Sequence, residues 1–500
     1  MNIKKRHIIL ATVFVVYFAL RLYFSLQTPY FNSEYSYFAL RQVDNILETG
    51  KPLIHDNLSY GGRTFVFMPF YFYLLAFFAL IFPKIIIIKI INSLLASSII
   101  LAVYLVASVV IQKRKISLIC SVVAAFLPIY ISETLNNISP YSIVFPGSFF
   151  LLYLFIKLDK DKKIINYVAA LSIVLILTSS STFVFILSLL LFLFLTYLEN
   201  DPLTEIESEV ISFMLLFFLW VNFIIYKLAF QQHGLSIIWS NLPSAITSNF
   251  YRNISPLDIF ASIGPLPFVF GSHTIYNYLF KKKSKNMLLF ISLFIASFIL
   301  LWLKLISAEL GLMFVGSSLV ILFGRFLKDF FANLTKAKFA KKENLLFYVV
   351  LLVLLITQVV PGINSIITNS NKVYDEETIQ AYKWLNNTPE ESIILSLPDD
   401  GNLISYFGKR KNIIDTNYLL IEDSETRMED MLSFYKQRFK ISAIRILEKY
   451  GAKYFIVSKS LEKYNIKESP LFDDPCFELV YEGKIKIYKL ETRCEIQDEP

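Results

Sequence analysis

Apolar runs close to the length of a bilayer crossing recur along this chain, and they constrain its fold more than any other feature. Candidate spans are residues 7–27, 86–111, 116–132, 142–156, 164–178, 183–198, 210–230, 257–280, 287–304, 309–324 and 345–362. That is roughly eleven, several shorter than the ~20 residues a straight crossing needs. Composition agrees: 55% of residues are hydrophobic and 18% charged, against about 45–50% and about 25% in soluble domains. The net charge of +8 is accounted for by basic loops flanking spans, not by nucleic-acid binding. Cys120, Cys476 and Cys494 are too few for a disulfide scaffold or a cysteine zinc cluster. Ile8 to Leu26 is long and lacks a small-residue cleavage site, so it reads as an uncleaved signal anchor.

Segment 65–82, FVFMPFYFYLLAFFALIF, is ambiguous until loop charge is considered. Basic clusters lie at Lys4 to Arg6, Lys113 to Lys115, Lys157 to Lys163, Lys281 to Lys285 and Arg325 to Lys342. A crossing at 65–82 would put the first cluster opposite all the others. An interfacial position puts all five on the cytoplasmic side, as the positive-inside rule expects, and suits the aromatic load. Loops 28–85, 133–141 and 231–256 and the C-terminal tail are then external.

Between Tyr30 and Pro69 lies a polar island holding Glu34, Asp44, Glu48, His55, Asp56 and Arg63. Tyr35, Phe38, Val43 and Ile46 have the spacing of an amphipathic helix, ended by Gly50 and Pro52. The loop HDNLSYGGR follows, and its Gly61-Gly62 pair permits positive φ and close backbone approach. From about Asn371 the composition becomes that of a soluble α/β domain. A helix is expected at Asp375–Leu385, strands at Ser392–Leu397 and Ile413–Asp415, a helix at Ile441–Tyr450 and a strand at Tyr454–Val457. A hairpin of Phe477–Tyr481 with Ile485–Leu490 turns at Glu482-Gly483. Cys476 and Cys494 flank it, and whether they pair stays open. The organisation read from the sequence is a transmembrane domain over 1–365 and an extracytoplasmic α/β domain over 371–500.

With this layout the chain resembles the GT-C glycosyltransferases, which include oligosaccharyltransferase catalytic subunits and protein O-mannosyltransferases. The resemblance spans nearly the whole length. It rests on the acidic loop after the first span, the aromatic run MPFYFYLLAFFALIFP, the segment PKIIIIKIINSLLASSIILAVYLVASVVIQKRK and the segment FLPIYISETLNNISPYSIVFP. The tail stretches AYKWLNNTPEESIILSLPDDGNLISYFGKRKNIIDTN and ILEKYGAKYFIVS resemble the oligosaccharyltransferase soluble domain. The resemblance implies a polytopic α-helical membrane protein of GT-C fold that moves a sugar from a polyprenyl-phosphate donor to an acceptor on the outer face. The membrane would be a prokaryotic plasma membrane. A divalent metal such as Mg or Mn is implied by the family alone, and the cofactor stays open. The chain also departs from the pattern. Asn32 and Ser33 stand where the family has an aspartate, Asn137 to Ser139 where it has carboxylates, and Leu397-Pro398-Asp399 replaces the Trp-Trp-Asp signature.

Such a reaction needs a carboxylate to deprotonate or orient the acceptor nucleophile and donors for the leaving phosphate. The catalytic candidates are Glu34, Asp56 and Glu133; the substrate-binding candidates are His55, Tyr60, Arg63, Lys89 and Asn137. Each has a plainer role as well. Glu34 suits a helix N-terminus, Asp56 suits a turn that caps the NLSYGG loop, and Glu133 suits an interface. Arg63 suits bidentate phosphate contact or snorkelling. Lys89 lies early in a span, which is costly unless it pairs or meets phosphate. Lys304 and Glu309 bracket an external turn as a simple pair. No His, Asp and Glu set has zincin or EF-hand spacing. The alternative function is a non-catalytic relative that binds lipid-linked sugars or scaffolds an assembly enzyme. A transporter would show repeated halves, and none is visible.

Overall fold

The computed structural model describes residues 3–158, 163–234, 237, 242–246, 255–334, 343–421 and 423–494. Most of the expected loop at 231–256, and parts of the basic clusters at 157–163 and 325–342, lie outside the described residues. The chain divides into two compact units. A helical unit comprises Met1–Pro29, Met68–Ile224 and Tyr251–Lys372; an α/β unit comprises Tyr30–Phe67, Ile225–Phe250 and Val373–Pro500.

Among the described residues, six helices are long and apolar enough to cross a membrane: Ile8–Leu26, Lys84–Val110, Glu205–His233, Lys285–Trp302, Ala308–Leu334 and Asn344–Ser370. The pair Arg114–Ala125 and Pro128–Thr134, bent by 51°, makes a seventh if it counts as one span. The bend falls at Pro128, whose ring cannot continue a helix. Shorter apolar helices occupy Phe70–Ala79, Tyr141–Lys157, Ile164–Thr178 and Thr182–Leu198. A ten-residue helix at Phe70–Ala79 is about 15 Å long, half the thickness of a bilayer core of about 30 Å. Pro69, at its start, sets its beginning five residues after Phe65.

One helix organises the helical unit. In Ala308–Leu334 every residue from Leu310 to Gly324 is buried, as expected of a helix that is apolar all round. Against it pack Pro265–Phe280, Lys285–Trp302 and Arg114–Ala125. By contrast Leu216, Leu219, Trp220 and Phe223 of Glu205–His233, and Leu352, Ile356 and Val360 of the last helix, are exposed. Such outward apolar faces fit a lipid solvent. This is a polytopic α-helical membrane protein.

In the α/β unit the helix Tyr35–Thr49 buries Phe38, Val43 and Ile46, and ends at Gly50, whose N–H bonds Ile46 O in a left-handed cap. A small antiparallel pair follows: β1 (His55–Asp56) and β2 (Arg63–Thr64). The main sheet holds β3 (Ile393–Leu395), β4 (Lys411–Asn412), β5 (Ala452–Val457), β6 (Phe477–Tyr481) and β7 (Lys486–Leu490), in the order β4-β3-β5-β7-β6. β3 runs parallel to β4 and β5, and the hairpin β6-β7 adds antiparallel to β5. Cys476 and Cys494 form a disulfide beside that hairpin, with Cα atoms 5.7 Å apart.

Two expectations for this region need correction. The strand expected at Ile413–Asp415 lies earlier, at Lys411–Asn412, because Asp415 Oδ1 accepts the Asn417 amide at 2.8 Å and turns the chain away. Three helices were not foreseen: Pro398–Leu403, the single turn Ser460–Lys463, and Ser424–Lys436, whose buried side chains include Met428, Met431 and Phe434 among many charged residues.

Candidate functional site

Glu34 directly precedes the helix Tyr35–Thr49, yet its carboxylate makes no capping bond. It accepts instead from Asn402 Nδ2, and from Thr416 Oγ1 at 2.7 Å. Asn402 sits on the short helix Pro398–Leu403, and Thr416 on the turn after β4. Both donors are neutral. Burial pushes the Glu34 carboxyl up to about 8, the two donors lower it, and nearby Asp399 and Asp415 raise it further. The result is a half-buried carboxyl that exchanges its proton near neutral pH.

Asp56, on β1, is held differently. Arg41, two turns along the helix from Glu34, grips it through Nη1 to Oδ2 at 3.1 Å and Nη2 to Oδ1 at 2.5 Å. Leu58 N and Ser59 Oγ complete its coordination at 3.0 and 2.9 Å. Burial alone would raise this carboxyl, but the Arg41 guanidinium outweighs it and holds Asp56 below the ordinary carboxylate range. With Asp56 only 1% exposed, the pair pins the NLSYGG loop to the helix. That loop joins the main sheet: Tyr60 N bonds Asn412 O at 2.8 Å, and Asn412 N bonds Leu58 O at 2.9 Å.

The other candidates in this unit lie around the same loop. Arg63 bonds Asp415 and, at 2.8 Å, Asn417 O, with its guanidinium 4.5 Å from the Phe65 ring centre. His55 is exposed, its Nδ1 3.2 Å from Thr64 Oγ1. The Tyr60 ring carries the Arg427 guanidinium at 5.0 Å.

In the helical unit Lys89 is 2% exposed and donates to Ser25 O, Thr28 O and Asn136 Oδ1, each at 2.7 Å. It caps the carbonyl end of the first helix, where a cation is favoured. Asn137 Nδ2 bonds Ser132 O at 3.1 Å and so closes the helix Pro128–Thr134. Glu133 on that helix is half-buried and lies in the field of Glu309 and of Lys372. Glu309 therefore belongs beside Glu133; among the described residues it makes no ion pair with Lys304, contrary to the simple pairing expected from their spacing. One further cation escaped sequence reasoning. Arg21, fully buried, donates to Tyr17 Oη at 3.1 Å and Thr134 Oγ1 at 2.9 Å.

Asn402, Thr416 and Arg41 are partners of the candidate residues that sequence reasoning missed, and Glu309 was read only as a partner of Lys304. The tail stretch ending IIDTN contains Thr416, but nothing local linked it to Glu34. Among the described residues no three His, Cys, Asp or Glu side chains come together as a metal-ion site. Among the described residues the groups bonded to Glu34 are a neutral amide and a hydroxyl, with no second carboxylate bonded there, so this site does not fit a resident divalent ion.

No protein-family model matches the sequence, and no curated protein sequence matches it. Solved structures do match. The archaeal oligosaccharyltransferase AglB from Archaeoglobus fulgidus, in complex with an inhibitory peptide and a dolichol-phosphate, aligns over 91% of this chain and 70% of its own, with a TM-score of 0.67 and 14% identity. The same oligosaccharyltransferase tethered to an acceptor peptide containing the NVT sequon aligns over 91% and 69%, with a TM-score of 0.63 and 15% identity. ArnT from Cupriavidus metallidurans bound to undecaprenyl phosphate aligns over 99% and 100%, with a TM-score of 0.54 and 12% identity. The chain has the GT-C fold of the membrane glycosyltransferases.

Proposed function

We propose that this protein is a membrane glycosyltransferase that moves a sugar from a polyprenyl-phosphate donor to an acceptor on the outer face of a prokaryotic plasma membrane. The observation that carries this reading is Glu34: a carboxyl at the start of a helix, held by Asn402 and Thr416 and raised to about 8. A general base works best when its proton affinity lies near the working pH. Ionised Glu34 takes the proton of the acceptor nucleophile as that atom bonds to the sugar's anomeric carbon. The bond from that carbon to the phosphate oxygen breaks, and its electron pair leaves with the polyprenyl phosphate. The carrier class is supported by the dolichol-phosphate and undecaprenyl phosphate bound in the two similar structures. An external α/β unit is supported by its disulfide, a bond that persists in oxidising compartments, and by the basic clusters assigned to the opposite side. The short Phe70–Ala79 helix supports an interfacial 65–82 segment.

Transfer measured in membranes with a polyprenyl-linked sugar tests this. Glu34→Gln is expected to lower turnover by about 10²–10⁴-fold while the protein folds normally, and Glu34→Asp retains more of it. Cysteines placed at exposed Asn57 and Lys453 label from outside, and one at exposed Lys283 only from inside. The alternative, a non-catalytic relative that binds lipid-linked sugars or scaffolds an assembly enzyme, is favoured by Asn32, Ser33, Asn137 and Ser139 standing in place of carboxylates. Full complementation of a gene deletion by Glu34→Gln would select it.

A further inference from the structure

The α/β unit holds a cleft of about 310 Å³ between the NLSYGG loop and the segment after β4, lined by Tyr60, Gly61, Gly62, Arg63, Gln232 and Arg427 among others. Its volume is at the lower end for small-molecule sites, which begin near 300 Å³. Three features bear on what enters it. First, two guanidiniums line it and no Asp or Glu among the described residues does. The counter-ions stand elsewhere: buried Asp415 holds Arg63, and Asp423 takes Nε of Arg427 at 2.6 Å. Arg427 Nη1 is bound to Tyr60 O and Ile413 O at 3.2 and 2.9 Å, but its Nη2 makes no hydrogen bond among the described residues. Second, Gly61 and Gly62 have φ of 74° and 69° and open space where a Cβ would stand, so backbone forms one wall. The Gly61 amide has no backbone partner among the described residues. Third, Leu420 and Ile421 give the cleft an apolar side.

We infer that this cleft is a binding site for a sugar residue bearing a negative group, a carboxylate or a phosphate. The anion meets the open Nη2 of Arg427, since guanidinium suits planar oxyanions. Gln232 and the Gly61 amide serve ring hydroxyls, and the carbon face of the ring lies on Leu420 and Ile421. The inference stands on the cleft's own geometry and does not require Glu34 to catalyse.

Calorimetry on the full-length protein in detergent, with no donor present, tests it using four probes: glucuronate, glucose 6-phosphate, glucose and inorganic phosphate. Glucuronate and glucose 6-phosphate are expected to bind at least about tenfold more tightly than glucose, and glucose 6-phosphate more tightly than inorganic phosphate. Gln232→Glu places a like charge in the cleft without altering Arg427, Gly61 or their contacts, and weakens both anionic sugars about tenfold or more. Arg427→Gln does the same. Equal binding of glucuronate and glucose overturns the anionic part, and equal binding of inorganic phosphate and glucose 6-phosphate overturns the sugar part. No binding by any probe, or affinities unmoved by Gln232→Glu, overturns the site altogether. Loss of transfer in Glu34→Gln with these affinities intact would separate the two readings.

Discussion

Glu34 and Asp56 carry the same functional group in one short stretch of chain, and the fold shifts their proton affinities in opposite directions. Asp56 is clamped by a guanidinium and two further donors, so it stays ionised and acts as a fastener. Glu34 is offered an amide and a hydroxyl, neither charged, so its proton affinity rises to about 8. The lesson concerns partners more than burial. Both groups are desolvated, but only the one without a cation is left poised for proton transfer.

The largest test of this contrast is catalytic. Glu34→Gln is expected to lower transfer by about 10²–10⁴-fold, the usual weight of a general base. In the unaltered protein the rate should rise as pH climbs through about 8, as the carboxyl ionises. An acid-limited profile centred near 4.5, the ordinary glutamate value, would break the comparison from the Glu34 side.

Next in size is the clamp. Asp56→Asn leaves Arg41 buried without its anion, which costs about 3–5 kcal/mol, read as a fall in the unfolding midpoint. Replacing both partners, Arg41→Met with Asp56→Leu, should recover much of that loss. Because the Asp56 carboxyl is lowered, its contribution is complete above the ordinary aspartate range. It is lost only as pH falls through the depressed value.

Asp400 sharpens the contrast as an intermediate. It is buried and takes no cation among the described residues, but accepts from Tyr382 Oη, Ser458 Oγ and Ser460 Oγ at 2.6, 2.8 and 2.7 Å. Burial pushes it up to about 6, against the pull of those hydroxyls. Asp400→Asn should cost about 1–3 kcal/mol, less than Asp56→Asn, because no charge is stranded and hydroxyls donate or accept as required. A loss equal to that of Asp56→Asn would show that burial, not the partner's charge, sets the penalty.

A separate effect lies in the pH dependence of stability. Glu34 takes up a proton on folding wherever pH lies between its ordinary value of 4.5 and about 8. The folded state then binds more protons than the unfolded one, so stability falls as pH rises across that window. Glu34→Gln should flatten this slope, measured as unfolding midpoints from pH 5 to 8, roughly the span over which the linkage acts.

Local pattern made much of the fold legible. Phe38, Val43 and Ile46 foretold a helix that does end at Gly50, and alternation around Glu482-Gly483 foretold the β6-β7 hairpin. Apolar length alone marked Ile164–Thr178 to the residue. What stayed hidden is long-range or weakly patterned. The Arg41–Asp56 clamp joins a helix to a strand across fifteen residues with no periodic signature. Asn402 and Thr416 reach Glu34 from 368 and 382 residues away, and no local spacing records such a contact. Ser424–Lys436 was overlooked because acidic and basic residues interrupt its buried stripe, which resembles a polar loop. Arg63, for which the sequence offered phosphate contact or snorkelling, bonds Asp415 through a turn whose geometry no single residue announces.

That same Arg63–Asp415 contact carries a consequence for how the protein is made. Its two partners are separated by 352 residues, an interval that ribosomes translate in roughly 20–70 s at about 5–20 residues per second. Throughout that time the first loop has left the ribosome with its arginine, its sheet-edge amides and Glu34 still lacking the groups they will bind. The α/β unit is therefore closed last, by its own tail. A nascent chain arrested anywhere within the membrane spans would leave the Leu58 and Tyr60 backbone without the Asn412 strand it pairs with.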